Sequence, residues 1–558
     1  MLPVTGLKQI FSREAACCGF LCIFMLLKAP GQPPGAFFGL LAGKGKRMFL
    51  QLKQVTVTHT KDLRVLIDHF SFTLNPGDKV AIIGEEGNGK STLLQLMAGR
   101  EPAYCEVTGE IIRRGRFAYL PQEMEESEKE QSVYEFFCAE EGFFDFPPAE
   151  SARLASSLGL PPEEIYSERP MKSYSGGEQV KFSLLRLLFG HPDVLLLDEP
   201  SNNLDLETLT WLEKFITESE QPVVFISHDE VLLERTANGI IHLEQVKKKQ
   251  QPRATAAHMD YRRYVSQRAD AIDKQEQLAL NERRDFDAKM EKYRQIRQRV
   301  EHEQNSISRA DPHGGRLLKK KMHTVQAMGK RFEREKENLT ERPVFEEAMF
   351  LNLDEDVSVP AGKIVLDFSL DSLCTGGRCL ARNLSLTVRG GEKLCIIGQN
   401  GAGKSTLLRL IRQELNRRAD IKVGYMPQNY EEELDLDASP VEFLAPSGDK
   451  EKITQVRTYL GSMKYTHDEM LHPIRGLSGG QKAKLFLLKL KLERADVLLL
   501  DEPTRNFSPL SAPVVRDLIA RFNGTVISVS HDRRYMQEVC TRVLKLTPNG
   551  LEAVEVSE

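Results

Sequence analysis

The sequence of 558 residues predicts an α/β protein in which two homologous domains are joined by a long antiparallel α-helical hairpin. Two observations support this prediction. One set of short motifs appears twice, and its later members keep a constant offset of 303 residues, as between Ser175 and Ser478 or Asp198 and Asp501. The segment between the two copies instead repeats apolar residues at heptad spacing.

These patterns divide the chain into four parts. We expect a first domain at 48–245, a helical linker at 246–343 and a second domain at 344–558. Residues 1–47 form an N-terminal extension outside the fold, because Met48 looks like the natural start of the first domain. Their apolar stretch at 15–27 is shorter than the roughly 20 residues of a membrane span. The alternative for this stretch is a signal peptide.

Composition is that of a soluble globular protein. Apolar residues make up 41% and charged residues 28%, which argues against a largely disordered chain. The formal charge of −4 gives no overall preference for nucleic acid, so such a role needs a local basic patch. Nine cysteines without a CxxC pair indicate no disulfide framework or zinc site and favour a reducing compartment.

A glycine-rich motif followed by Lys-Ser-Thr occurs once in each domain. It follows the strand-like runs 79–83 and 393–397 and precedes a helical pattern, which is the context of a phosphate-binding loop. Its glycines let backbone N–H groups converge on phosphate oxygens. The predicted nucleotide-binding residues of the two loops are Gly84, Glu85, Glu86, Gly87, Asn88, Gly89, Lys90, Ser91 and Thr92, and Gly398, Gln399, Asn400, Gly401, Ala402, Gly403, Lys404, Ser405 and Thr406.

A buried apolar run ends in two carboxylates in each domain, at Asp198-Glu199 and Asp501-Glu502. We expect the aspartates to hold Mg²⁺ together with Ser91 and Ser405 of the phosphate loops. The glutamates are the candidate catalytic residues, because a carboxylate at this position can polarise an attacking water. One such run could be a coincidence, whereas two that each follow a phosphate loop favour a nucleotide-phosphate site that uses Mg²⁺.

Together these motifs resemble the ATP-binding cassette family, whose signature is the Ser-Gly-Gly element. The resemblance covers both domains and implies ATP hydrolysis at two sites between head-to-tail domains, with Lys90 facing Ser478 and Lys404 facing Ser175. It further implies that Gln122 and Gln428 approach Mg²⁺ and the lytic water, and that His228 and His531 contact the γ-phosphate as catalytic histidines. The signature residues that would contact nucleotide are Ser175, Gly176 and Gly177, and Ser478, Gly479 and Gly480.

The arrangement of both domains on one chain, with a helical linker and the run Ser201-Asn202-Asn203-Leu204-Asp205, resembles the ABC-F group. That resemblance implies a cytoplasmic factor that acts on the ribosome and reaches its RNA and tRNA through the linker. Because the two cassettes can pair within one chain, we expect a monomer. Translation regulation and protection against antibiotics are both open. The alternatives are the ATPase subunit of a transporter with separate membrane subunits, and a binding protein gated by ATP.

Two heptad stripes, starting at Val265 and Leu318, predict the two helices of the linker. The first would be roughly 70 Å long at 1.5 Å per residue. We expect a break at 308–315, because Pro and paired Gly stop a helix. Residues 289–330 hold eleven basic and four acidic residues, which favours RNA contact over a merely solvated helix surface once the resemblance is considered.

The sequence departs from the family pattern at a few places. Ser508 replaces the acidic residue of the D-loop in the second domain. This replacement predicts that the site built on Lys90 differs from the other site in its hydrolysis or in its coupling between the domains. His59 occupies the place of the aromatic residue that stacks on adenine, and only Leu373 or Cys374 is available in the second domain. Weak stacking makes nucleotide selectivity loose and GTP use conceivable.

Overall fold

The computed structural model describes residues 48–202, 204–246, 251–306, 312–340, 359–375 and 378–554. The extension predicted at 1–47 and Asn203 of the first D-loop lie outside these ranges. Met48–Glu558 form one compact unit. Within the described ranges, no helix is both long and apolar enough to cross a membrane.

Two sheets build the first domain. Its strands are β1 (Leu50–His59), β2 (Val65–Leu74), β3 (Lys79–Ile83), β4 (Cys105–Arg113), β5 (Phe117–Leu120), β6 (Val194–Leu197), β7 (Val223–Ile226), β8 (Gly239–Gln245) and β9 (Gln251–Ala257). The antiparallel sheet has the order β2-β1-β4, and the main sheet has the order β5-β6-β7-β3-β8-β9. Because β9 pairs antiparallel with β8, the main sheet continues beyond the boundary predicted at residue 245.

The α-helices of the first domain cover the main sheet and form a separate helical region. They are α1 (Lys90–Met97), α2 (Glu126–Glu130), α3 (Val133–Cys138), α4 (Pro148–Ser157), α5 (Gly176–Phe189), α6 (Leu206–Glu218) and α7 (Glu230–Thr236). A cluster of aromatic and aliphatic side chains, including Phe137, Phe182 and Phe189, is the core of the helical region. This core fixes the start of α5, where the first signature lies.

A long helical pair follows the first domain: α8 (Tyr261–Ser306) and α9 (Pro312–Glu337). The helices pack antiparallel, since Lys289 of α8 pairs with Glu335 of α9, whereas Glu303, further along α8, pairs with the earlier Lys321. Residues 307–311, where part of the break was predicted, lie outside the described ranges. The prediction that the paired glycines interrupt the helix is wrong, because α9 begins at Pro312 and includes both of them. Proline is well tolerated in the first turn of a helix.

The second domain repeats the first. Its strands are β10 (Ile364–Thr375), β11 (Arg378–Arg389), β12 (Lys393–Ile397), β13 (Val423–Met426), β14 (Val497–Asp501), β15 (Thr525–Val529), β16 (Arg542–Thr547) and β17 (Gly550–Val554). The α-helices are α10 (Lys404–Leu415), α11 (Pro440–Leu444), α12 (Lys450–Ser462), α13 (His467–Leu471), α14 (Gly479–Glu493), α15 (Ala512–Ala520) and α16 (Arg533–Glu538). The main sheet has the order β13-β14-β15-β12-β16-β17.

Burial explains why these strands occupy the centre of each sheet. Every residue of β3, β6 and β7 is buried, as expected for parallel strands covered by helices on both faces. The carboxyl ends of parallel neighbours meet at one edge of a sheet. The phosphate loop after β3, the carboxylates after β6 and the histidine after β7 therefore converge in the first domain, and those after β12, β14 and β15 in the second.

Candidate nucleotide-binding sites

The two predicted phosphate loops have nearly the same backbone. Gly84 and Gly398 adopt φ values of 142° and 152°, and a Cβ at either would come within 3 Å of a carbonyl oxygen on the neighbouring strand. Only glycine fits such a position. Gly89 and Gly403 cap α1 and α10 without a side-chain hydrogen bond, which leaves the first N–H groups of each helix available to an anion.

In both loops the lysine side chain is held among backbone carbonyls. Lys90 Nζ donates to the carbonyl oxygens of Gly84 at 2.8 Å and Glu85 at 3.2 Å. Lys404 Nζ donates to the carbonyl oxygens of Gly398 at 2.8 Å and Gln399 at 2.9 Å. Each ammonium group thus lies inside its loop, where phosphate oxygens would replace the carbonyls.

The aspartates that follow β6 and end β14 lie beside the loop serines. Ser91 Oγ donates to Asp198 Oδ1 at 3.0 Å, and the Tyr119 hydroxyl donates to Asp198 Oδ2 at 2.9 Å. Burial raises the pKa of both Asp198 and Asp501, and the hydroxyls of Ser91 and Ser405 act in the opposite direction. Asp501 Oδ1 is buried without a hydrogen-bond partner in the described part of the chain.

These oxygen atoms fit Mg²⁺, which prefers hard oxygen ligands and keeps several waters or phosphate oxygens. Among the predicted metal ligands of the first domain, Ser91 bonds Asp198, and Ser91 and Gln122 line the same cavity. Gln122 also bonds Glu199, the residue next to Asp198. In the second domain, Ser405, Gln428 and Asp501 line one cavity. The unpartnered oxygen of Asp501 is one that a cation or its water could satisfy.

The two candidate catalytic glutamates share a strained backbone but differ in surroundings. Glu199 and Glu502 have φ values of 48° and 53°, in the left-handed region that side chains other than glycine rarely adopt. Glu199 Oε2 accepts hydrogen bonds from the side-chain amides of Gln122 at 3.0 Å and Asn202 at 2.5 Å. Glu502 accepts from the His531 backbone amide at 3.3 Å.

These surroundings move the two pKa values in opposite directions. Burial alone would raise the pKa of Glu199, but His228 and Lys90 outweigh it and lower the value to about 2. Burial and the adjacent Asp501 raise the pKa of Glu502 to about 7. At neutral pH, Glu199 is therefore fully ionised, whereas Glu502 is protonated in part of the molecules.

The two histidines lie beside the glutamates. His228 Nε2 lies 3.4 Å from Glu199 Oε1, and its Nδ1 donates to the Phe507 carbonyl oxygen of the second domain at 2.7 Å. His531 Nε2 lies 3.8 Å from Glu502 Oε1. Burial lowers the pKa of His531 to about 4, so this ring is neutral at pH 7.

A cavity surrounds each lysine. The cavity at Lys404 measures about 380 Å³ and the cavity at Lys90 about 370 Å³, within the usual range for small-molecule sites. Both lie between the two domains. Arg505 and Asn506 of the second domain line the Lys90 cavity, while Ser201, Asn202 and His228 of the first domain line the Lys404 cavity.

The second signature reaches the Lys90 loop, but the first signature does not line the Lys404 cavity. The Gly480 amide donates to Glu86 Oε2 at 2.6 Å, across the domain boundary. Ser175, Gly176 and Gly177 are not among the residues around the Lys404 cavity. The lining of the Lys90 cavity likewise contains no signature residue, so the facing of Lys90 with Ser478 and of Lys404 with Ser175 remains a prediction.

Sequence reasoning missed one residue at the base end of the first site. Tyr104 lines the Lys90 cavity together with His59, and the two ring centroids are 6.0 Å apart. In the second domain the matching wall is made by Thr375 and Leu380. Tyr104 lies just before β4, far from the position where the family pattern places its aromatic residue. Only its being an aromatic residue near the end of α1 could have drawn attention to it.

Comparisons with known proteins agree with this geometry. A family model described as "ABC transporter" matches residues 67–202 and 381–505, one match in each domain. ABC transporter F family member 2 of Arabidopsis thaliana is 29% identical over 544 residues, covering 86% of this chain and 74% of the relative. ATP-binding cassette sub-family F member 3 of Homo sapiens is 28% identical over 554 residues, covering 92% and 73%.

This chain is an ATP-binding cassette protein of the F type. As such it is an ATPase, and its two six-stranded main sheets are the cores of two cassettes. Probable ATP-binding protein YheS of Escherichia coli strain K12 is a further F-type relative of this cassette protein, 29% identical over 513 residues, covering 86% of this chain and 76% of the relative.

Solved structures with the same fold are tandem cassette proteins. An archaeal ribosome recycling factor, solved in complex with an archaeal ribosomal stalk protein, superposes with a TM-score of 0.56 at 16% identity and covers 90% of each chain. An RNase-L inhibitor superposes with a TM-score of 0.54 at 16% identity, covering 90% of this F-type protein and 91% of the other chain. At this identity the likeness concerns the fold alone.

Proposed function

We propose that this F-type ATPase acts on the ribosome, and that its helical pair contacts ribosomal RNA or tRNA when ATP brings the cassettes together. The observation that carries the proposal is the charge of the helical pair. Lys319, Lys320 and Lys321 are exposed on α9, at the end remote from the cassettes. An exposed basic end on a chain of net charge −4 is a local site for RNA phosphates.

The ends of the two helices near the cassettes carry a different kind of surface. There, Arg262 pairs with Glu234 of α7, and Arg268 pairs with the buried Glu244 of β8. These ion pairs and the Tyr261 hydroxyl, which donates to the Pro509 carbonyl oxygen, anchor α8 to both domains. A movement of one domain against the other is thereby passed to the helical pair.

We assign the site residues the following roles. Lys90 and Lys404 contact the β- and γ-phosphates of ATP, and Glu199 and Glu502 orient the attacking water and accept its proton. Ser91, Gln122 and Asp198 would hold Mg²⁺ at the first site, and Ser405, Gln428 and Asp501 at the second, where the ion would neutralise negative charge on the phosphates. His228 and His531 lie beside the carboxylates of Glu199 and Glu502 and approach the γ-phosphate.

The test is ATP-dependent cosedimentation of the Glu199→Gln/Glu502→Gln protein with 70S ribosomes. We expect binding with ATP, weaker binding without it, and loss of most binding when Lys319, Lys320 and Lys321 are changed to Glu. A matched control changes three exposed basic residues of α12 to Glu, namely Lys450, Lys452 and Arg457. The control has the same change in net charge and should still bind.

Two results would overturn the proposal. Failure to bind ribosomes in any nucleotide state would remove the ribosomal role while leaving the ATPase sites in place. Equal losses in the α9 and α12 variants would mean that net charge, and not the helical pair, carries the attraction.

The dependence of binding on salt concentration gives a further measurement. The slope should become shallower only in the α9 variant, and the change in slope counts the phosphates that those lysines contact.

A further inference from the structure

The first phosphate loop carries a carboxylate that lies on the signature helix of the opposite domain. Glu86 Oε2 accepts the Gly480 amide hydrogen at 2.6 Å. Gly480 is in the first turn of α14, which Ser478 caps, and N–H groups of a first turn have no acceptor within their own helix. The positive end of a helix favours an anion. Glu86 supplies that anion from the other domain.

Glycine at the start of α14 makes this approach possible. A Cβ at Gly479 would lie 2.8 Å from the Glu86 Oε2 atom, so a larger residue there would push the carboxylate away from the helix. The same glycine would let a phosphate oxygen come near the amide. The Glu86 carboxylate and the terminal phosphate of a nucleotide held by Lys90 could therefore each accept the hydrogen bond of the Gly480 amide, but not both at once.

The neighbouring Glu85 ties the same loop to the second D-loop. Glu85 Oε1 accepts a hydrogen bond from Ser508 Oγ at 2.9 Å, and the Ser511 hydroxyl also donates to it. Burial would raise the pKa of Glu85, but Lys484 and the two hydroxyls outweigh burial and hold the pKa below its usual value. Glu85 is thus an ionised, fully hydrogen-bonded contact between the domains.

The second phosphate loop lacks both carboxylates. Gln399 and Asn400 stand where the first loop has Glu85 and Glu86, and Asp205 stands in the first D-loop where the second has Ser508. Asp205 is close enough to Lys404 and His531 to affect both electrostatically. At the Lys90 site the interface carboxylates belong to the phosphate loop, and at the Lys404 site the carboxylate belongs to the opposite D-loop.

We propose that Glu86 is a positioning residue that competes with the γ-phosphate of ATP for the Gly480 amide, so that the Lys90 site discriminates poorly between ATP and ADP. This rests on the proposed nucleotide site of Lys90 and the second signature. Without ATP, Glu86 holds the second domain against the first phosphate loop. ATP has to displace the carboxylate, whereas ADP ends one phosphate short and leaves it in place.

The experiment measures binding of MgATP and MgADP by the full chain in a Lys404→Ala background, so that only the Lys90 site binds. Glu86→Asn, which copies the second loop, should tighten MgATP binding by about ten-fold, because a hydrogen bond to a charged group is worth about this much. MgADP affinity should stay within about two-fold. Glu86→Gln keeps the length of the side chain and should act in the same direction.

The reciprocal variant is a matched control. Asn400→Glu in a Lys90→Ala background should weaken MgATP binding about ten-fold and spare MgADP. An unchanged ratio of ATP to ADP affinity in Glu86→Asn, or weaker ATP binding, would overturn the competition. If the Lys404→Ala protein itself binds neither nucleotide, the proposed function of the Lys90 site fails first, and this inference fails with it.

Discussion

Glu213 of α6 and Arg516 of α15 occupy equivalent positions 303 residues apart, and each forms an ion pair with the opposite cassette. Arg516 pairs with Glu230 at 2.6 Å, and Glu213 pairs with Arg533. Glu230 and Arg533 are equivalent too, again at an offset of 303. Both symmetry-related pairs therefore take their acid from the first cassette and their base from the second. Two copies of the first cassette would oppose Glu213 with Glu230, so these charges favour pairing within the chain.

The first prediction concerns Arg516, whose side chain is only 3% exposed. It faces three carboxylates, so Arg516→Gln leaves the largely buried Glu230 and Asp532, and the exposed Glu538, without this cation. We expect it to weaken association of the cassettes by about 3 kcal/mol, the usual cost of breaking a buried pair. Glu230→Gln removes one acid and should cost less. Calorimetry of both single variants and the double variant measures the coupling.

A double variant whose loss equals the sum of the two single losses would contradict this account, because additive effects mean that the two side chains do not interact. Arg521→Gln is a suitable control. Its partner, Asp517, lies four residues away on the same exposed helix surface, and an exposed pair of this kind is worth only a few tenths of a kcal/mol.

The second prediction concerns the two glutamates. Glu199→Gln with Glu502→Gln should leave ATP binding intact and lower turnover by about 10²–10⁴-fold, the contribution of a positioned general base. The amide keeps the shape of the side chain but cannot accept the proton of water. ATP binding is followed by equilibrium dialysis and turnover by phosphate release. Complete loss of ATP binding would mean that the glutamates bind nucleotide and do not act on water.

How far the sequence could predict this molecule depends on how local each feature is. The phosphate loops, the carboxylates after β6 and at the end of β14, and the histidines were predictable because each is a short motif next to a buried strand. The contact of Glu86 with Gly480 was not, since it joins residues 394 positions apart whose approach depends on how two domains pack. The strand β9 was missed because Gln251–Ala257 has few β-branched residues and contains a proline.

The third prediction concerns the base end of the first site. Tyr104 and His59 line the Lys90 cavity, so Tyr104→Leu should weaken nucleotide binding there by about ten-fold, the value of one stacked base. The measurement is MgATP affinity in the Lys404→Ala background. Leu380→Ala in the Lys90→Ala background is the matched change in the other wall, where no ring is lost, and it should cost less. Equal effects would mean that Tyr104 acts by packing alone.

The fourth prediction concerns pH and His242, which is buried in β8 with Nδ1 2.9 Å from the Tyr264 hydroxyl. Burial, with Arg268, Arg253 and Lys90 nearby, lowers its pKa well below 6.5, although Glu244 lies 3.8 Å away. The unfolded chain therefore binds a proton below pH 6.5 that the folded chain does not. The free energy of unfolding should fall by about 1.4 kcal/mol for each pH unit below that value, and be unaffected above it. His242→Gln should remove this part of the acid sensitivity, which urea titrations at pH 7.5 and 5.5 measure. If the free energy of unfolding falls equally in variant and parent between these pH values, other groups cause the acid sensitivity.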